Sequence, residues 1–476
     1  MNCHTARTKL IGSPALPHLL LVAIFLLVAW SLPARAGQAP IARRGVIDLR
    51  AWDPGSDGIL ALDGEWRFEW GVLAEPQPVS GRVGRPPPQG TGAPAAFLTV
   101  PGSWTGTPGP TGPLPRDGYA TYRLRILLPP STELLALYIP YARTAYRLWI
   151  DGRLAAANGT VGTSRAASRP QYRSTVARFT PVGPVADVVV HVSNFHHREG
   201  GLWRGLRFGT AAQIEQLAER KLFRDVLLAS CALIIALYHL VLFALRRDER
   251  PALWLGLFAL GMAGRFLVVG DAIVLTRLLP NFSWDVQLKI EYLALYLGVP
   301  WFVLFAASLF PAEASRRVTQ AAIVLGALFS AVVVLTPVRV FSLTYRPYAV
   351  ITLLAVIWVI TVIARAARRR REGASLLLRG VALFFLTACN DLAFYANLVR
   401  TTDLTPVGLC CFMLLQSFVL ARRAAHAFSR EASLRAENAR LLATVRRQLD
   451  ELHESRRLIA AAEDAQRQQW AEFLHG

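Results

Sequence analysis

Seven apolar segments follow one another between Asp225 and Ala421, near 225–245, 252–270, 288–310, 318–336, 349–364, 375–395 and 406–421. Polar or basic stretches separate them. Segments of this length predict membrane-spanning helices, which need about 20 apolar residues to cross a hydrocarbon core. Before them the period changes. Tyr122-Arg-Leu-Arg-Ile-Leu-Leu begins with strict alternation, and Leu135-Ala-Leu-Tyr-Ile-Pro, Tyr146-Arg-Leu-Trp-Ile-Asp and Val188-Val-Val-His-Val-Ser are short runs of the β-forming type. Pro/Gly-rich stretches at 75–94 and 105–118 read as loops. About eight such strands with turns between them predict an all-β sandwich over residues 37–210.

Two further segments complete the organisation. Residues 211–224 contain good helix formers and run into the first span without a breaker, which predicts a stiff helical joint. From Arg422 onward no Pro or Gly occurs until Gly476. Leu434, Asn438, Leu441, Val445, Gln448, Leu452 and Ile459 follow heptad spacing, and a second register through Leu442, Val445, Leu449 and Leu452 fits nearly as well. Residues 422–476 are therefore expected to form a coiled-coil helix, with Asn438 as a buried polar residue that sets register.

Residues 1–36 resemble a secretory signal peptide: Arg7 and Lys9, an apolar run from Leu19 to Trp30, then Ala34-Arg35-Ala36. The run of about 12 residues is short for a spanning helix. The net charge of +20 invites a nucleic-acid reading. Its distribution argues against one, because the basic residues lie in short loops between the spans and in the last helix. Arg246, Arg247, Arg250, Arg316, Arg317, Arg365, Arg368 to Arg371, Arg422 and Arg423 fall on one side of a seven-span arrangement; Arg277, Arg339, Arg346 and Arg400 fall on the other. By the positive-inside rule the first side is cytoplasmic. The odd span number then puts the sandwich outside, in agreement with the leader. The five cysteines lie in the leader and the spans, so the sandwich needs no disulfide. No Cys/His spacing suggests a metal site, and no cofactor is expected.

Ionisable residues inside spans are costly and mark function. Arg265, Glu291 and Asp391 come from three different spans yet share a depth near the outer ends. They predict an intramembrane polar cluster in which Arg265 pairs with Glu291 or Asp391. Snorkelling of separate residues is the competing reading, and His239 reads as a packed histidine.

The series Leu62-Asp-Gly-Glu-Trp-Arg-Phe, Val100-Pro-Gly-Ser-Trp, Tyr119-Ala-Thr-Tyr-Arg and Ala145-Tyr-Arg-Leu-Trp-Ile-Asp-Gly resembles, in this order, galactose-binding-like jelly-roll domains similar to the sugar-binding domain of family 2 glycoside hydrolases. Followed by seven spans, it resembles the bacterial seven-transmembrane receptors with diverse intracellular signalling modules. That resemblance implies a periplasmic domain that binds a small, carbohydrate-like ligand. Sugars pack on flat rings, and Trp104 and Tyr119, flanking a Gly/Pro-rich loop, are the expected platforms; Trp66 and Trp149 read as core. His196 and His197 are adjacent, so on an extended segment they point apart and do not share a metal.

Glu463-Asp-Ala-Gln-Arg467-Gln-Gln-Trp470-Ala-Glu-Phe-Leu474-His475-Gly476 resembles the phosphoacceptor helix of bacterial sensor histidine kinases, with Arg467, Ala471, Leu474 and His475 at matching positions. The resemblance implies that His475 accepts a phosphoryl group. Gly476 stands where an acidic neighbour is usual, which puts autophosphorylation in doubt. No Gly-rich nucleotide loop occurs upstream and no ATP-binding domain follows, so the chain is not expected to catalyse phosphoryl transfer by itself. The expectation is an inner-membrane receptor, the sensory part of a truncated or split sensor kinase. It would form a homodimer through the coiled coil and act with a kinase or response-regulator partner, in contact with lipid and without nucleic acid. The alternatives are a scaffold that recruits a partner through its coiled coil, or a membrane enzyme acting on lipid or glycan.

Overall fold

A computed structural model describes residues 40–76, 96–130, 133–270, 273–279, 281–395, 401 and 403–475. The leader expected at 1–36 and most of the proline-rich stretch at 75–94 lie outside the described residues.

The N-terminal region is a sandwich of two main sheets. The larger has the order β10 (Arg153–Asn158), β9 (Ala145–Ile150), β12 (Val185–Asn194), β7 (Gly118–Leu127), β3 (Gly64–Trp70) and β4 (Ala96–Val100), with β1 (Val46–Asp48) parallel to β7. The smaller has the order β11 (Thr175–Phe179), β8 (Leu135–Ile139), β13 (Arg207–Thr210) and β2 (Leu60–Ala61). A short ribbon, β5 (Pro108–Gly109) with β6 (Gly112–Pro113), lies in the Gly/Pro-rich loop before β7.

Period-two alternation sets the core. On β7, Ala120, Tyr122, Leu124 and Ile126 face inward, opposite Val188, Val190 and Val192 of β12 and Trp66 and Phe68 of β3. Strand β8 is buried at every position, for a specific reason. Leu135, Leu137 and Ile139 point into the sandwich, whereas Ala136 and Tyr138 point the other way and are covered by Ala211, Ile214 and Ala218.

Those three residues open the first long helix, α1 (Ala211–Leu245). Thr210 starts it with a reciprocal capping box: its hydroxyl accepts from Gln213 N, and the Gln213 side chain accepts from Thr210 N. Gln213 also donates to Pro54 O at 2.8 Å. The first turns of α1 are thus part of the sandwich, and the same helix continues unbroken through the first apolar segment.

Six more long helices follow among the described residues: α2 (Arg250–Val268), α3 (Trp284–Leu309), α4 (Arg316–Leu335), α5 (Tyr345–Arg368), α6 (Ala374–Tyr395) and α7 (Thr405–His475). Among the described residues, seven helices are long and apolar enough to cross a membrane. Exposed apolar residues continue outside the bundle, as with Val350, Leu353, Leu354 and Ile357 along one stripe of α5, which suits contact with lipid. Helices α3 and α4 approach closely at Gly326, where a Cβ would fall 2.6 Å from the Pro300 ring. At the bundle end remote from the sandwich, the buried Glu313 carboxylate accepts from Arg369 and Arg371. In α7 the side chains from Glu431 to Trp470 are exposed, Leu434, Leu441, Val445, Leu452 and Ile459 among them.

Candidate functional site at the sandwich–bundle junction

The junction is built by one sharp turn after β12. The buried Asn194 side chain folds it: Oδ1 accepts from His197 N at 3.0 Å, and Nδ2 donates to Arg116 O and His197 O, each at 2.9 Å. The turn sends His196 and His197 to different partners. His196 bonds Ser168 O at 3.1 Å and meets the Trp284 ring edge-on. His197 is buried, and its Nε2 accepts from Arg143 Nη1 at 2.8 Å. Burial, with Arg143 and then Arg198 beside it, holds the His197 imidazole neutral, well below its ordinary range. Nδ1 accepts from Glu199 N at 3.2 Å and lies 3.3 Å from Glu199 O.

Arg143 packs its guanidinium over the Trp203 ring at 4.3 Å, and its Nε is buried without a hydrogen-bond partner. Tyr141 and Tyr172 pack beside it as a tilted ring pair with centroids 3.6 Å apart. The bundle answers with one face of α3. Trp284, Leu288, Glu291 and Tyr292 recur at helical spacing and so point to the same side. Between the two surfaces lies a cavity of about 10 Å³, room for about one water, lined by Arg143, Thr144, Tyr172, His197, Trp284, Glu291 and Tyr292.

Ionic contacts surround this aromatic centre. Arg339 donates to Asp117 at 2.8 Å, Arg346 to Glu199 at 3.3 Å, and Arg198 to Ser342 O at 3.3 Å while lying over the Tyr345 ring at 4.3 Å. Just inside the bundle, Arg265 of α2 stands 3.9 Å from Glu291 of α3. Of the two partners anticipated for Arg265, the structure brings Glu291 to it. Asp391 instead accepts from the backbone N–H groups of Leu404 and Thr405, at 2.8 and 2.9 Å. His239 is buried, with Nδ1 bonded to Ile235 O at 2.9 Å.

The expected aromatic platforms part company. Trp104 is fully buried in the sandwich core, where it meets Trp70 edge-on and donates its indole N–H to Pro115 O at 3.2 Å. A side chain at Gly200 would occupy the space of its ring. Neither face of Trp104 is open to a ligand; packing against the loop, rather than exposure on it, is what the Gly/Pro-rich surroundings produce. Tyr119 is half-buried on the outward face of β7, opposite Ser193. Trp66 is core, whereas Trp149 faces outward against His191. The backbone of His475 closes α7. Among the described residues no group of three or more His, Cys, Asp or Glu could hold a metal.

Residues 222–423 match the family described as 7TM diverse intracellular signalling. This segment is a seven-span signalling domain. No curated protein matches the chain. Among solved structures, the chain is similar over 32% of its length to a GH2 β-galacturonidase from Eisenbergiella tayi, at 15% identity, a TM-score of 0.22 and 24% of that chain. It is similar over the same share to the β-glucuronidase from Ruminococcus gnavus in complex with D-glucuronic acid, at 15% identity, a TM-score of 0.24 and 29% of that chain. A GH2 member from Bacteroides cellulosilyticus shows 16% identity and a TM-score of 0.24, with 32% of this chain and 20% of that chain covered. The chain thus spans between about a fifth and a third of the length of these enzymes.

Proposed function

We propose that the chain is a bacterial inner-membrane receptor in which a periplasmic sandwich senses a small carbohydrate-like ligand and the signalling domain relays the event to the cytoplasm. The observation that carries this reading is the construction of α1. Its first turns belong to the sandwich through the Thr210 cap, the Gln213–Pro54 bond and the burial of Ile214, and its remainder is the first span of the signalling domain. A tilt or rotation of the sandwich is then delivered to the bundle without a flexible tether. Ligand binding works by biasing two packings of one junction.

The distribution of arginines across the loops supports the orientation, by the positive-inside rule. The ordered series from Leu62 to Gly152 supports a sugar-like ligand through its resemblance to sugar-binding jelly rolls. Tyr119 is the retained platform candidate. In the cytoplasm, the exposed heptad residues of α7 pair with a second copy of the chain, and His475 is the phosphoacceptor for a kinase partner that supplies the ATP site.

Full-length protein in nanodiscs tests the reading. Thermal unfolding is followed with a panel of mono- and disaccharides, and disulfide cross-linking is followed in Leu441→Cys and Leu452→Cys variants. A sugar that raises the unfolding midpoint and alters cross-linking efficiency supports receptor and relay together. Cross-linking at neither position removes the dimer, and indifference to every sugar removes the carbohydrate ligand.

A further inference from the structure

Arg143, in the segment between β8 and β9, carries a positive charge into the junction without a carboxylate of its own. Its Nη1 bonds His197 at 2.8 Å, its guanidinium lies 4.3 Å over the Trp203 ring, and its Nε is buried with no hydrogen-bond partner. Among the described residues no carboxylate stands within ion-pairing distance of it. A buried guanidinium N–H that has given up water and found no acceptor is costly, the more so because it is charged.

The opposite charge faces it across the junction cavity. Glu291 of α3 has Arg265 of α2 at 3.9 Å, the outer limit of an ion pair and beyond the reach of a hydrogen bond. Arg143 and Glu291 both line the cavity of about 10 Å³, together with the polar side chains of Thr144, Tyr172 and Tyr292. That volume admits about one water, and a buried water needs two to four polar partners. The walls set three conditions on an occupant. It must accept a hydrogen bond, for Arg143 Nε. It must donate one, for the Glu291 carboxylate. It must be neutral, because an anion would meet Glu291 and a cation would meet Arg143.

We propose that this cavity is a site for one water, which accepts from Arg143 Nε, donates to Glu291 and so joins the sandwich to α3 by a water-mediated ion pair. A bridging water of this kind serves nearly as well as a direct hydrogen bond, and in a site of low dielectric the two charges feel each other strongly through it. Glu291 is then shared by two arginines, Arg143 of the sandwich through the water and Arg265 of α2 directly. The sequence of charges from Arg143 to Glu291 to Arg265 gives the sandwich a hold on α3 and α2 that is separate from its covalent continuation into α1. A shift of the sandwich against α3 changes the pull on Glu291, and through Glu291 the position of Arg265.

The test is a double-mutant cycle on thermal unfolding of the full chain in nanodiscs, with Arg143→Gln, Glu291→Gln and the double variant. Removing one charge leaves the other buried without its partner, so each single substitution should lower the midpoint. In the Glu291→Gln background, Arg143→Gln should then lower it by about half or less of its effect in wild type. Additive effects overturn the link. Chloride against gluconate at equal ionic strength identifies the occupant. Equal midpoints support water; a rise in chloride that Arg143→Gln abolishes means an anion and overturns the bridge. Should Arg143→Gln fail to fold, the density of the wild-type protein decides. A peak within hydrogen-bond reach of both Arg143 Nε and the Glu291 carboxylate supports the water, and a map that shows other buried waters without that peak overturns it. None of these readouts uses a ligand of the sandwich, so they stand apart from any failure of the receptor reading.

Discussion

Asp117 and Arg339 stand 222 positions apart and meet at 2.8 Å, one in the loop before β7 and the other in the short helical turn Val338–Phe341 between α4 and α5. The pair ties the sandwich to the bundle. Asp117 also attracts Arg165 and Arg116, at 3.5 Å each, so it is the anionic centre of a small basic ring.

Charge reversal should reveal this tie. Asp117→Arg and Arg339→Asp should each loosen the junction, and the double reversal should recover part of the loss. The side chains are 24% and 37% exposed, so the coupling is expected at about 1 kcal/mol rather than the value of a buried pair. A double-mutant cycle on thermal unfolding in nanodiscs measures it, and strictly additive effects would dissolve the pair.

Trp104→Ala should cost about 3–5 kcal/mol of sandwich stability, because it empties a core site packed by Trp70 and Gly200. Tyr119→Ala should cost far less and should act on ligand affinity. Unfolding midpoints with and without ligand separate these outcomes; a Trp104→Ala protein as stable as wild type would contradict the packing seen here.

His197 supplies a pH prediction. Its folded form stays neutral well below 6.5, whereas an unfolded histidine takes a proton below about 6.5. Its stabilising contribution is therefore present above that pH and is lost as pH falls beneath it. His197→Gln should flatten the decline in unfolding midpoint between about pH 7 and 5. An unchanged acid limb would mean that His197 does not resist protonation.

Gly326→Leu should separate α3 from α4, since the added side chain collides with Pro300 and with Tyr296 O. A destabilisation of about 1–3 kcal/mol is expected, with larger loss if the bundle cannot relax. Folded yield in detergent and the cross-linking efficiency of a cysteine pair placed across the two helices give the readout. Wild-type values on both would show that the helices stand farther apart.

Much of the architecture was legible because it follows from periodicities that act locally. Alternation along Tyr122–Leu128 sets which side of β7 is core, and uninterrupted apolar runs set where the spans lie. Arg265 and Glu291 were recognisable because a charge in an apolar run has few innocent explanations. Trp104 was misread for an equally local reason: a tryptophan in a Gly/Pro-rich loop resembles an exposed platform until the chain folds Gly200 against its ring. The junction gave less warning still. Arg143, Asp117 and Glu199 are ordinary polar residues in loops or at strand ends, and His197 was visible only as half of a histidine pair.

By itself the sequence determined the succession of a β-sandwich, seven apolar helices and a long polar helix, because the burial of apolar groups repeats with the geometry of the local backbone. The tertiary structure alone decided which charges meet. Arg339 reaches Asp117, Glu291 takes Arg265, and Asp391 takes the first N–H groups of α7. Electrostatic and hydrogen-bonded partners are fixed by distance in space, and distances across hundreds of residues exist only after the elements have packed.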